Sequence, residues 1–227
     1  QGLFDRAIAK YLQLSALDPI DHRVLTNLGT LYLQTGRIGK GIRTLEKSLC
    51  IERRQPHALN SLGNIFSTVN RISEARACLE EAISLNPGFP EASATLADVL
   101  KKSDHSPLAL KHIKNALLSR PDSAPYLLVM ASTLMSLQFY DQGLTAIHRC
   151  LALLPQFSEA HLEKGICLLL MGNHREAITA LIRAITLYPE SPEVLLALGK
   201  ALMESGRPVD AGRILLWSTR KNPLSET

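Results

Sequence analysis

The residues best suited to chemistry in this chain, its histidines and cysteines, are scattered along the sequence. No H-E-x-x-H segment occurs and no two of the seven histidines stand four residues apart, so a zinc site on one helix face is not predicted. The glycine-rich loop that cradles phosphates and the G-x-S-x-G turn of serine hydrolases are also missing from the sequence. We therefore predict a protein that is not an enzyme, with no catalytic, metal-binding or cofactor-binding residues.

Four cysteines are present, and none of them forms a C-x-x-C pair: Cys50, Cys78, Cys150 and Cys167. Zinc ribbons and thiol–disulfide motifs need such pairs, so neither is predicted. Each cysteine falls inside a predicted helix, where a free thiol packs as a small hydrophobic side chain. We expect buried thiols rather than a disulfide, which favours a reducing compartment such as the cytoplasm.

Positive charge is concentrated near the amino terminus. Residues 1–56 carry nine Lys/Arg and five Asp/Glu, out of a net charge of +4 for the whole chain. Arg37, Lys40, Arg43 and Lys47 recur every three or four residues and so share one helix face. This face is interpreted either as a solvated outer surface or as a patch for RNA or anionic lipid.

Composition narrows the kinds of partner. Aromatic residues make up only 5% of the chain, which argues against a stacking surface for single-stranded nucleic acid. We predict no nucleic-acid partner. No run of 18 or more apolar residues occurs, so no membrane-spanning helix is predicted either.

A period of 34 residues organises the sequence. Five prolines follow it, and a sixth stands two periods before them: Pro87, Pro121, Pro155, Pro189 and Pro223, with Pro19. The position between Pro19 and Pro87 is taken by Arg53. Small residues recur in the same register, for example Gly63 and Gly165 or Ala75 and Ala177, and we expect them to let two helices approach closely.

Each period is predicted to form two helices. Leu25, Leu28 and Tyr32 have the spacing of an amphipathic helix. The position that closes the first helix holds residues that tolerate a left-handed backbone, with Gln138 as the exception: Gly36, Asn70, Asp104, Gly172 and Gly206. One such pair cannot bury its own apolar face, so each pair needs a neighbour. The sequence therefore predicts an all-α solenoid.

Three segments, 27–37, 61–87 and 163–189, are similar to the tetratricopeptide repeat family, and the similarity covers essentially the whole chain. The resemblance implies a right-handed superhelical solenoid of antiparallel helix pairs, an α/α superhelix. It also implies that the first helix of each pair lines a concave groove. Such repeats bind protein or peptide partners, so the expected function is a non-catalytic interaction scaffold.

One solenoid is expected over residues 1–227. The predicted whole repeats are 22–55, 56–89, 90–123, 124–157, 158–191 and 192–225. Before them, residues 2–19 are expected to form the second helix of a truncated repeat. The chain also ends without a polar capping helix, so we expect it to be a fragment of a longer protein.

The family geometry selects residues that face the groove, polar in the first half and more apolar in the second. The candidate partner-binding residues are Asn27, Thr30, His57, Asn60, Asn64, Asp98, Leu128, Leu162 and Leu169. Asparagine side chains both donate and accept hydrogen bonds, so they can hold a peptide backbone of any sequence. The alternative is that these amides tie adjacent helices together. The basic residues of a clamp for acidic chaperone tails are missing from the sixth position of the repeats.

Three functional hypotheses follow. The first is the interaction scaffold, with a peptide or protein segment in the groove. The second is a targeting arm of a larger enzyme, such as a glycosyltransferase or a sulfotransferase. The third is a structural or export-linked solenoid that self-associates through its ends.

Overall fold

The computed structural model describes residues 2–221, apart from the side chains of 215 and 217–221. Within that range the regular secondary structure consists of thirteen α-helices, with no strand. The all-α prediction is confirmed. Residues 222–225, the end of the last predicted repeat, lie outside the described residues. None of the described helices is long and apolar enough to cross a membrane.

The chain forms two compact units, which we call unit 1 and unit 2. Unit 1 is Gln1–Ser119. Its described helices are α1 (Gly2–Leu17), α2 (His22–Gln34), α3 (Ile38–Ile51), α4 (Pro56–Thr68), α5 (Ile72–Leu85), α6 (Pro90–Lys102) and α7 (Ser106–Ser119). In this unit α2 pairs with α3, α4 with α5, and α6 with α7.

Unit 2 is Arg120–Thr227. Its described helices are α8 (Ala124–Ser136), α9 (Tyr140–Leu153), α10 (Ser158–Leu170), α11 (His174–Leu187), α12 (Pro192–Glu204) and α13 (Pro208–Lys221). Here α8 pairs with α9, α10 with α11, and α12 with α13. We call α2, α4, α6, α8, α10 and α12 the first helices, and the partner that follows each one a second helix.

Local signals set the starts of the first helices, which begin 34 residues apart. Proline stands in the first turn of α4, α6, α8 and α12, where its missing N–H costs no hydrogen bond. Asp21 caps α2 by accepting from the N–H groups of Arg23 at 2.9 Å and Val24 at 3.4 Å. Ser191 caps α12 by accepting from the N–H of Val194 at 3.4 Å.

Small residues allow the two helices of a pair to pack closely, as predicted. A Cβ added to Gly63 would stand 2.5 Å from Cγ of Leu79, and one added to Gly165 would stand 2.5 Å from Cγ of Leu181. Both leucines are fully buried, with an exposed fraction of 0%. The leucine of one helix therefore fills the space that a side chain at the glycine of its partner would need, and this close fit fixes how the two helices pair.

Two residues after each first helix ends, the chain has a left-handed backbone, and Gln138 follows this rule despite its side chain. Its φ is 64°, against 78° for Gly172 and 75° for Gly206. The N–H of the next residue, Phe139, donates to the carbonyl of Leu134 at 2.9 Å, the bond that closes a helix in this conformation. The turn that closes α8 thus imposes a left-handed backbone on Gln138, although glutamine disfavours that conformation.

Replacing Gln138 with glycine should raise the free energy of unfolding by about 1 kcal/mol, because the left-handed backbone is strained for a residue with a Cβ. Chemical denaturation measures the change. The reverse substitution, Gly172→Gln, is the matched control and should lower stability by a similar amount. Equal stability of wild type and Gln138→Gly would contradict this reading of the turn.

The cysteine prediction is partly wrong. Cys150 and Cys167 are buried as expected and Cys78 is half-buried, but Cys50 is exposed because it lies on the solvent side of the last turn of α3. All four are free thiols. Burial raises the pKa of the Cys78 thiol to about 11, and nearby carboxylates led by Glu81 add to the shift. This thiol is therefore unreactive at neutral pH.

Candidate protein-binding surface

Within each unit, the first helices form a continuous layer. In unit 1, α4 contacts both α2 and α6; in unit 2, α10 contacts both α8 and α12. Within either unit, no second helix contacts another second helix among the described residues. The layer of first helices is therefore the tighter, concave side of each unit. We call it the inner face of that unit, and the side formed by the second helices its outer face.

The inner face of unit 1 carries polar side chains. Of the predicted candidates, Asn27, His57 and Asn64 are exposed, whereas Thr30 and Asn60 are half-buried. All five lie on α2 or α4, neighbouring first helices. Polar groups that remain in water on a concave surface are available to a ligand.

Two of these residues also hold the unit together. The hydroxyl of Thr30 donates to the carbonyl of Thr26 at 2.9 Å and lies 3.5 Å from the hydroxyl of Ser61, which links α2 to α4. The ring of His57 meets that of Phe89 edge to face, with centroids 4.9 Å apart. Thr30 and His57 are thus occupied by intramolecular contacts.

Asn60 has an unusual environment. Its Oδ1 is buried and has no hydrogen-bond donor among the described residues. A buried acceptor left unpaired costs about 1–3 kcal/mol. If the half-buried Asn60 side chain turns toward the inner face, its Oδ1 can accept an N–H group from a bound segment and that cost is removed, so Asn60 is suited to contact a partner's backbone.

Charge on α6 is concentrated around Asp98. Its two carboxylate oxygens pair with Lys101 Nζ at 3.2 Å and with Lys102 Nζ at 2.8 Å. Lys102 Nζ also donates to the hydroxyl of Ser67 at 3.2 Å, which links α6 to α4. Asp98 thus positions two lysines on the inner face, and the group of three carries a net positive charge.

The pKa of Asp98 reflects two opposed effects. Burial raises it, but the hydrogen bond from Lys102 and the charges of Lys101 and Lys102 together outweigh burial, so the pKa lies below its ordinary value. A lowered folded-state pKa means that the ionised carboxylate stabilises the fold at neutral pH. That contribution is lost as the pH falls through the lowered pKa, below about pH 4.

The variant Asp98→Asn should therefore melt below wild type at about pH 6, and the gap between the two should be smaller at about pH 3, where protonation of the carboxylate has begun to remove its contribution. Thermal melts followed by circular dichroism at both pH values check this. Asp122→Asn, a change of an exposed loop carboxylate, is the control. A gap that is the same at both pH values would contradict the stabilising role of the ionised carboxylate.

The inner face of unit 2 is more apolar. Leu128, Leu162 and Leu169 are half-buried, and the last two pack against a core cluster that includes Leu198. Met135 on α8 is only 8% exposed and packs in the core against α9, so it does not line this face.

Three side chains present more apolar surface than the predicted candidates of unit 2. Leu196 and Met203 on α12 are 68% and 56% exposed, and Leu170 at the end of α10 is 50% exposed. A sequence signal for the first two existed, because they occupy the periodic positions of Leu162 and Leu169. We treat all three as further candidates for partner contact. No group of residues that could hold a metal ion occurs in the described part of the chain.

Comparison with known families gives the same fold. Three tetratricopeptide repeat models match the chain, over residues 1–58, 56–89 and 168–223, which together span more than half of it. The chain belongs to the tetratricopeptide repeat family. Proteins of this family are interaction scaffolds in general. Among curated proteins, no relative matches the sequence.

Solved structures share the tetratricopeptide repeat fold at low identity. The type IV pilus biogenesis factor PilW superposes with a TM-score of 0.81 at 17% identity, over 90% of this chain and 95% of that one. A chain of the APC/C hetero-tetramer Cut9–Hcn1 gives a TM-score of 0.80 at 18% identity. The match covers 88% of this chain but only 40% of that one.

A third neighbour is a tetratricopeptide repeat protein with a peptide site. YrrB, described as having an unusual peptide-binding site, gives a TM-score of 0.63 at 18% identity, over 82% of this chain and 96% of that one. At such identities these likenesses establish the fold alone.

Proposed function

We propose that this tetratricopeptide repeat chain is a non-catalytic scaffold that binds a peptide or protein segment on its inner faces. The observation that carries the proposal is Asn60, whose buried Oδ1 has no donor in the described part of the chain and which lies beside the exposed amides of the inner face. The unusual peptide-binding site of YrrB supports a ligand of the same kind. We also propose that the predicted 34-residue repeats are the units of the scaffold, since the first helices begin at that interval.

The two inner faces suit different parts of a ligand. The amides of Asn27, Asn60 and Asn64 on unit 1 suit a peptide backbone, because an amide both donates and accepts. The exposed Leu196 and Met203 on unit 2 suit apolar side chains. Lys101 and Lys102 add a preference for a segment that carries a carboxylate near unit 1.

The proposal is tested by affinity capture from a lysate of the source cells. One variant, Asn60→Ala/Asn64→Ala, removes amides from the inner face of unit 1, and Leu196→Asp places a charge on that of unit 2. Their matched controls are Asn115→Ala on α7 and Leu153→Asp on α9, exposed residues of second helices. We expect the inner-face variants to lose a protein that the controls retain. Retention of the same proteins by all variants would refute the proposal.

A further inference from the structure

A cavity opens on the outer face of unit 2. The second helices α11 and α13 both pack against α12, and their described residues do not contact each other. Between them lies a space of about 290 Å³ with apolar walls, formed chiefly by Ile178, Ile182, Leu198, Leu202 and Ile214. Ile178 is 9% exposed, whereas Ile182 at the mouth is 48% exposed. We call this space the outer cavity.

The repeats themselves provide a comparison for the outer cavity. At intervals of 34 residues before Ile182 the chain carries His148, Lys114, Glu80 and Glu46, all polar and all exposed. Likewise, Leu198 lies in the wall of the cavity, and the residue one period before it is the polar Lys164. A second helix of this chain therefore folds with a polar residue where Ile182 stands. A single exposed isoleucine is ordinary, but one set over an apolar cavity indicates a surface that another molecule covers.

The rim of the outer cavity carries excess positive charge. Arg207 and Arg213 share one carboxylate, with Arg207 Nη2 at 2.7 Å and Arg213 Nη1 at 3.9 Å from the oxygens of Asp210. The rim thus presents two arginines and one aspartate to whatever covers the cavity, a net charge of one positive unit.

We propose that the outer cavity receives an apolar side chain from an amphipathic helix of a partner protein, with Asp or Glu residues beside that apolar stripe. A volume of about 290 Å³ suits one or two side chains, because it lies just below the range of small-molecule sites. The gap between two helices admits the ridge of a third. The arginine rim selects an acidic flank over a basic one. This site is on the outer face, so it is separate from the inner-face function proposed above.

A display library of helical peptides, selected on the 227-residue chain, provides the probe. Peptides that bind wild type are counter-selected on Ile182→Lys, which copies the lysine found two periods earlier at Lys114. We expect survivors with apolar residues at i, i+3 or i+4 and i+7, flanked by Asp or Glu. Failure to recover any peptide that distinguishes the two proteins would overturn the proposal.

The affinities of a recovered peptide then test each element separately by fluorescence anisotropy. Ile182→Lys should weaken binding by about tenfold or more, whereas Val209→Lys, an exposed apolar residue of α13 outside the cavity wall, should not. Arg213→Glu should weaken binding of the acidic peptide. Changing the acidic residues of the peptide to lysine should restore its binding to this variant. Loss of binding with Val209→Lys would overturn the location of the site. Failure of the lysine peptide to restore binding to Arg213→Glu would overturn the charge assignment. Concentration-dependent self-association abolished by Ile182→Lys would instead identify a second copy of the chain as the occupant.

Discussion

Replacing Leu181 with alanine should lower the free energy of unfolding by about 2–5 kcal/mol. Leu181 has an exposed fraction of 0% and belongs to the core cluster that joins α11 to α12. Its removal leaves a cavity that the close-packed neighbours fill only in part. Because each helix pair of a solenoid is stabilised by its neighbours, the loss should affect the melting of α10 and α12 as well. Denaturant titration followed by circular dichroism measures it.

Gly165 makes this prediction more specific. In wild type, Gly165→Ala would place a Cβ 2.5 Å from Cγ of Leu181 and should destabilise the unit. In the Leu181→Ala background the same methyl group enters the vacated space, and alanine is the better helix former. The double variant should therefore be more stable than the sum of the single changes predicts, by about 0.5–3 kcal/mol. Simple additivity would show that the glycine is not there to accommodate the leucine.

Replacing Gln55 with alanine should lower the free energy of unfolding by about 1–3 kcal/mol, because it removes several hydrogen bonds from a partly buried side-chain network. The Gln55 amide nitrogen donates to the carbonyls of Glu52 at 2.6 Å and Ser48 at 3.1 Å. Its amide oxygen accepts from the hydroxyl of Thr26 at 2.8 Å. Ser48, whose hydroxyl also accepts from the Gln55 amide at 3.0 Å, is fully buried, with an exposed fraction of 0%, so water does not replace the bonds lost on that side of the network.

The matched control for Gln55→Ala is Ser123→Ala, two periods later in the chain. Ser123 precedes α8 as Gln55 precedes α4, and neither side chain makes a capping hydrogen bond, but the Gln55 side chain also bonds to Thr26 and Ser48. We expect Ser123→Ala to cost clearly less than Gln55→Ala in the same denaturation experiment. If the two variants lose equal stability, the side-chain network around Gln55 does not hold the α3–α4 turn.

Period and residue type together predict much of this fold. Glycines such as Gly63 and Gly165 mark where helices must approach, and prolines such as Pro56 and Pro90 mark where first helices begin. Three features were not predictable in this way. The left-handed backbone of Gln138 is imposed by helix closure around it, and the orientation of Met135 depends on packing. The hydrogen-bond network of Gln55 lies beside Arg53, which stands at a periodic proline position. The sequence shows that the proline is missing there, but not the network.

The candidate surface is less predictable from sequence than the fold. The repeat pattern predicts which helices line the inner face, but not which side chains are already engaged. Thr30 and His57 have intramolecular partners, and Asp98 is paired with two lysines. Asn60 stands out only because the environment of its Oδ1 is visible in three dimensions. Identity of the partner depends on contacts made with another molecule, which a periodic pattern does not encode.

Site-specific photo-crosslinking to the captured partner tests binding on the inner faces most directly. A photoreactive residue is placed at Asn64 on the inner face of unit 1 or at Asn115 on its outer face, and at Leu196 or Leu153 in unit 2; all four positions are exposed. We predict crosslinks to the partner from Asn64 or Leu196 and none from Asn115 or Leu153. Crosslinks confined to Asn115 or Leu153 would contradict inner-face binding and assign the partner to the outer faces.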